Sequence, residues 1–205
     1  TFFFLFVIPS FCFLFYYQHI GPIDFWWLMA GILLFFCALI FLFFPEERKS
    51  FKQNLRHRPL EKVLLGLAAS LFLYAVFYFG FLIIQFVWPP GEFSIQNVYA
   101  LKGKASAWRL ALFLGLIIGP GEEILWRWFL QRRWAERLGP KNSFLLIALI
   151  YSAAHLTTGN LLLVIAALVC GLFWGWLFLK FNSLLANIIS HSIWDVVIFV
   201  LWPLI

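Results

Sequence analysis

The chain has 205 residues, of which 64% are hydrophobic and 12% charged, with a net charge of +6. Soluble domains run at about 45–50% apolar and about 25% charged, so this composition excludes an ordinary soluble globule. The basic residues stand between apolar runs, where they set membrane topology, so nucleic acid is excluded as a partner and membrane lipids are expected instead.

The chain opens at Thr1, already inside an apolar run. No basic stretch with a cleavage site marks a signal peptide. Residues 1–17 read as a first membrane span and 24–44 as a second, ending at Pro45. A charged segment at 46–62 follows and reads as a solvated, lipid-contacting loop. Residues 63–88 form a third span, stopped by Pro89, Pro90 and Gly91, and 89–105 a polar loop. A fourth helix starts near Ala107 and runs through Gly119, Pro120 and Gly121 into a stretch that begins with Glu122 and Glu123. Residues 143–156 make a fifth segment, short of the roughly 17 residues a span needs at the least. Either this segment is tilted, or the turn after it, at Thr157–Asn160, lies within the membrane with its backbone groups satisfied by protein or water. Spans six and seven cover 161–179 and 183–202. The expected fold is an all-α polytopic bundle of about seven spans. It is one membrane domain, with N-terminal helices at 1–106 and a motif-bearing bundle at 107–205.

Alternation of seven spans puts Arg48, Lys49, Lys52, Arg56, Arg58, Lys62, Arg127, Arg132, Arg133, Arg137, Lys141 and Lys180 on one side. Lys102, Lys104 and Arg109 fall on the other. The larger group marks the cytoplasmic side. Cys12, Cys37 and Cys170 lie inside apolar runs and form no framework; they read as buried small hydrophobes. Phe and Trp are read as lipid-facing and headgroup-belt material. His19 and His57 fall in loops and carry no assignment.

Ionisable side chains at membrane depth are costly and mark function. In spans four to seven they are Glu122, Glu123, Arg127, His155, His191 and Asp195. Counting from the cytoplasmic boundary at about 1.5 Å per residue, Glu122 is about 15 Å deep, His155 about 18 Å and His191 about 13–14 Å. Three helices thus carry polar groups to one level. Glu123 and Arg127 are four apart and share a helix face, as do Tyr151 and His155, and His191 and Asp195. Asp195 is placed to accept from one ring nitrogen of His191 and fix its tautomer. A carboxylate in a dry pocket suits a general base, a histidine suits holding water, and a second histidine suits an oxyanion. The same residue types also suit a divalent metal, although no HExxH is present.

Three motifs carry a family resemblance: Glu122-Glu123-Ile-Leu-Trp-Arg127, Tyr151-Ser-Ala-Ala-His155 and His191-Ser-Ile-Trp-Asp195. Together they resemble EExxxR, FxxxH and HxxxN/D of the CPBP family, the type II CAAX prenyl endopeptidases and bacteriocin-processing enzymes. The resemblance covers residues 107–202. It implies an intramembrane endopeptidase in which Glu122 activates water with help from His155. Glu123 and Arg127 would shape the site, and His191 with Asp195 would stabilise the oxyanion. The family is described both as metal-free glutamate protease and as metalloprotease. Both readings stay open, the second with Glu122, His155 and His191 holding a divalent metal such as zinc. The implied partner is a membrane-tethered or lipidated peptide or protein, and the expected location a bacterial plasma membrane. Tyr151 departs from the usual Phe and adds a hydroxyl; Trp128 stands where many bacterial members carry a small residue. The competing function is a non-catalytic membrane scaffold or regulator with the same fold. A proton-relay transporter is a weaker third, disfavoured by the lack of internal repeats.

Overall fold

The computed structural model describes residues 2–205, with side chains from Leu5 onward; Thr1, the first residue of the expected first span, lies outside them. The described residues are helical throughout apart from turns, with one isolated bridge between Ile20 and Ile23. In chain order the helices are α1 (Phe2–Tyr17), α2 (Phe25–Phe43), α3 (Pro45–Arg56), α4 (Pro59–Val87) and α5 (Gly91–Ala100). A long continuous helix follows, made of α6 (Ala107–Phe113), a π-helical turn (Leu114–Ile118), α7 (Gly119–Glu122), a π-helical stretch (Glu123–Gln131) and α8 (Arg132–Leu138). Then come α9 (Pro140–Ala154) with a 3-10 turn (His155–Thr158), α10 (Leu161–Phe181) and α11 (Leu184–Val196), which continues as a π turn (Val197–Leu201).

Four of these are long and apolar enough to cross a bilayer: Phe25–Phe43, Pro59–Val87, Leu161–Phe181 and Leu184–Leu201. Their outward faces carry large apolar side chains such as Leu42, Phe79 and Phe86 in the open. That arrangement suits lipid and would be an aggregation hazard in water.

Two segments read from sequence as loops are helices. The first is α3, which starts with Pro45 at its first turn, places Glu46 and Glu47 there and Arg56 in its last turn. Proline at the start and charges that complement the helix dipole favour this helix despite its polarity. The second is α5, with Glu92 in its first turn, inside the expected 89–105 loop. High polarity without apolar runs looks like loop when the helix lies along an interface instead of crossing it.

The charged segments meet at one end of the bundle. Arg132 pairs with Glu47 at 3.0 Å and Arg133 with Glu46 at 3.0 Å. The amide of Asn54 donates to the Asn182 carbonyl at 2.8 Å, and its oxygen accepts from the Leu184 N–H at 3.0 Å. This clasp ties α3 to the turn between α10 and α11.

Close approach of the site helices depends on small residues. A Cβ at Gly66 of α4 would sit 2.7 Å from the Cβ of Ile189 and 2.8 Å from the carbonyl oxygen of Ala186, both on α11. A Cβ at Gly119 would sit 2.7 Å from the Ser192 hydroxyl and 3.0 Å from that residue's backbone. These two glycines bring α11 against both α4 and the long helix.

Candidate active site

The long helix presents its carboxylates through an irregular stretch. Pro120 has no N–H, and its ring crowds the carbonyl four residues back, at Leu116. Leu116 lies in the π turn Leu114–Ile118, whose wider winding accommodates the intrusion. A second π stretch begins at Glu123 itself. Such windings recur at functional sites because they re-aim side chains. Every residue from Gly121 to Gln131 is buried.

Five of the six residues singled out in the sequence meet in one buried cluster. Glu123 is at its centre. One oxygen, Oε1, accepts from His191 Nδ1 at 2.7 Å and faces an Arg127 guanidinium nitrogen at 3.3 Å. The other, Oε2, accepts from the Asn187 amide at 2.9 Å. Glu122 lies beside it, with Oε2 3.8 Å from His191 Nε2. The same ring nitrogen lies 3.5 Å from Asp195 Oδ2. His191 is therefore oriented by Glu123, and Asp195 faces the free side of the ring. The sequence spacing suggested that Asp195 would fix the tautomer. The shorter bond to Glu123, from a different helix, takes that place.

The sixth residue, His155, ends α9 and is connected to the cluster through Tyr151. Its Nδ1 donates to the Tyr151 carbonyl at 2.9 Å, while the Tyr151 hydroxyl donates to Glu122 Oε2 at 2.7 Å. The N–H bond to a backbone carbonyl leaves Nε2 of His155 as the acceptor nitrogen. The His155 ring also packs on Phe15 of α1, with ring centres 4.2 Å apart.

Residues outside the three motifs complete the enclosure. Trp174 of α10 stacks on His191 with centres 3.6 Å apart and planes 18° apart, and its indole N–H donates to Ser190 at 3.1 Å. Asn187 also donates to the Trp174 carbonyl at 2.8 Å, so it bridges α10 to Glu123. The Arg127 guanidinium lies 4.9 Å from the centre of the Tyr151 ring and 5.7 Å from that of Trp174. Asn187, His191 and Asp195 repeat at four-residue spacing on α11, a signal that would have found Asn187. Trp174 carried no such signal, since an indole in an apolar helix reads as core.

Among the described residues, no three His, Cys, Asp or Glu side chains are spaced to share a metal ion.

The arrangement gathers three carboxyl groups, two imidazoles and one guanidinium in a water-poor interior. Such a set can take up, hold and return protons and can stabilise a developing negative charge.

No curated protein and no solved structure matches the chain. A family model does, that of the Rce1-like type II CAAX prenyl endopeptidases, over residues 104–197. That range holds all three motifs and every clustered residue just described. The apolar helices and this match together support an integral membrane protein. Over residues 104–197, somewhat under half of the chain, the sequence is similar to the Rce1-like CAAX prenyl endopeptidase family.

Proposed function

We propose that the protein is an intramembrane endopeptidase that hydrolyses membrane-associated or lipidated peptides with a glutamate-activated water. The observation that carries this reading is Glu122: a carboxyl group held in the bundle interior by Tyr151 at 2.7 Å, beside a histidine nitrogen at 3.8 Å. In the proposed reaction Glu122 takes a proton from water as the water oxygen attacks the scissile carbonyl carbon. The oxyanion that forms accepts from His191 Nε2–H. Glu123 steadies that ring by accepting from Nδ1; donation from Nε2 at the same time requires the doubly protonated imidazolium, a cation that the facing carboxyl groups of Glu123 and Asp195 stabilise. The proton on Glu122 passes to the leaving nitrogen as the C–N bond breaks and the oxyanion collapses, and a carboxylic acid and an amine result. His155, whose Nε2 is the acceptor nitrogen, helps to hold the attacking water.

The same reading extends to topology. The end of the bundle where α3 meets α8 and the α10–α11 turn is proposed as cytoplasmic, because eleven of the fifteen basic residues fall on the segments that meet there, Arg127 being drawn into the buried cluster instead. Besides the four long apolar helices, α1, the long helix through Gln131, and α9 are proposed to enter or cross the bilayer, which gives about seven spans.

Incubation of purified protein with a peptide library in detergent, followed by mass spectrometry, tests the reading. Wild type should release defined fragments, and Glu122→Gln should release none while remaining folded. Equal product patterns from the two would remove Glu122 as the base.

A further inference from the structure

Tyr151 does two things at once that no motif position requires of it. Its hydroxyl donates to Glu122 Oε2 at 2.7 Å, and its own carbonyl accepts from His155 Nδ1 at 2.9 Å. One residue therefore fixes the geometry of two others.

The ring is itself fixed. Trp126 meets it edge-on at 5.3 Å between centres, and the Arg127 guanidinium sits 4.9 Å from its centre. The residue is 6% exposed, so the hydroxyl has no bulk water to exchange with. A phenol carries a single donor proton, and here it is committed to one oxygen of Glu122.

The terminal torsion of a glutamate is broad and roughly two-fold, so a carboxyl group without a partner swings freely. His191 Nε2, at 3.8 Å from the same oxygen, is too far to act as that partner. The hydroxyl therefore selects the carboxyl orientation. It occupies Oε2 and leaves the lone pairs of Oε1 as the basic ones.

We propose that Tyr151 is a positioning residue, whose hydroxyl sets the rotation of the Glu122 carboxylate so that Oε1 takes the proton from water. This rests on the peptidase reading above. The hydroxyl is the only difference between tyrosine and phenylalanine, so Tyr151→Phe removes the positioning bond and keeps the ring packing.

The test measures kcat and KM separately for wild type, Tyr151→Phe and Glu122→Gln on one quenched-fluorescence peptide in proteoliposomes. Losing a hydrogen bond to a charged group should lower kcat of Tyr151→Phe about 10- to 100-fold. KM should stay within about twofold, because the hydroxyl faces the base and not the substrate-binding surface. A Tyr151→Phe chain with wild-type kcat overturns the proposal, as does a loss that appears in KM alone. Failure of the peptidase reading looks different: wild type and Glu122→Gln are then equally inactive, and the positioning role goes with it. Infrared difference spectra, wild type minus Tyr151→Phe, give a second readout on the same samples. A phenol band typical of donation to a carboxylate supports the bond, and a band typical of a phenol without an acceptor overturns it.

Discussion

His191 donates through Nδ1 to Glu123 at 2.7 Å, so the second glutamate of the pair on the long helix is the group that orients a histidine on α11. The two adjacent carboxyl groups thereby have different surroundings. Glu123 meets a guanidinium, an imidazole and an amide, whereas Glu122 meets a phenol. A fully satisfied carboxylate suits a structural role, and a sparsely satisfied one suits chemistry.

Because Glu123 orients His191, Asp195 is free to act toward substrate. Its Oδ2 is 3.5 Å from His191 Nε2, longer than a normal hydrogen bond. Asn keeps an acceptor and adds a donor at that position. Asp195→Asn should therefore retain most peptidase activity, while Asp195→Ala should lose about 2–4 kcal/mol of transition-state stabilisation. Initial rates of the two variants on one peptide decide it, and equal inactivity would mean that the negative charge itself is needed.

Arg127 is 1% exposed and pairs with a fully buried Glu123. Removing one partner of a buried pair costs about 3–5 kcal/mol. The lower end is expected here, because Glu123 keeps His191 and Asn187. Thermal melts in detergent should show Arg127→Leu well below wild type. The double variant Arg127→Leu, Glu123→Gln should lose less than the sum of the single losses, since the two side chains are in contact. Strict additivity would speak against the pairing.

The ion pairs between α3 and α8 put positions 46–56 and 132–138 at one end of the bundle. With the three native cysteines replaced, single cysteines at Lys52 and Lys141 should label from the same side of sealed vesicles. A cysteine at Lys104 should label from the other. Labelling of Lys52 and Lys141 from opposite sides would break the proposed topology.

Glu47 lies on α3, outside the spanning helices. Burial pushes its carboxyl up from the ordinary value of 4.5, and the nearby Arg132 and Arg133 offset this only in part. The folded state then holds this proton more tightly than the unfolded chain does. Its contribution to stability is present below pH 4.5 and is lost as pH rises through the raised value. Glu47→Gln should flatten that decline: between about pH 4.5 and neutrality its melting temperature should fall less with pH than that of wild type. An unchanged slope would show that the carboxyl does not titrate differently on folding.

Much of the site was legible in the sequence, for a physical reason. Charged groups in long apolar runs have no place in lipid, so Glu122, Glu123, Arg127, His155, His191 and Asp195 announced themselves, and counting helix rise put Glu122, His155 and His191 at similar expected depths. What pairs with what was less legible. Four-residue spacing pointed His191 to Asp195 on its own helix, but the tertiary contact to Glu123 is shorter. Trp174 was invisible, because stacking on an imidazole leaves no trace in an apolar pattern. In the fold, runs of hydropathy located the long helices. They missed α3 and α5, whose polar composition suits an interface and which therefore carry no apolar run.

The eleven consecutive buried residues from Gly121 to Gln131 have a consequence for how the membrane acts on this protein. The stretch is solvated on every side by other helices, so no lipid tail touches it. Bilayer thickness, chain order and headgroup chemistry act on the outer helices and reach these residues only by moving them. The paired glutamates thus sit in a solvent that the chain supplies for itself, and its properties are written in the sequence instead of being borrowed from whichever membrane surrounds it.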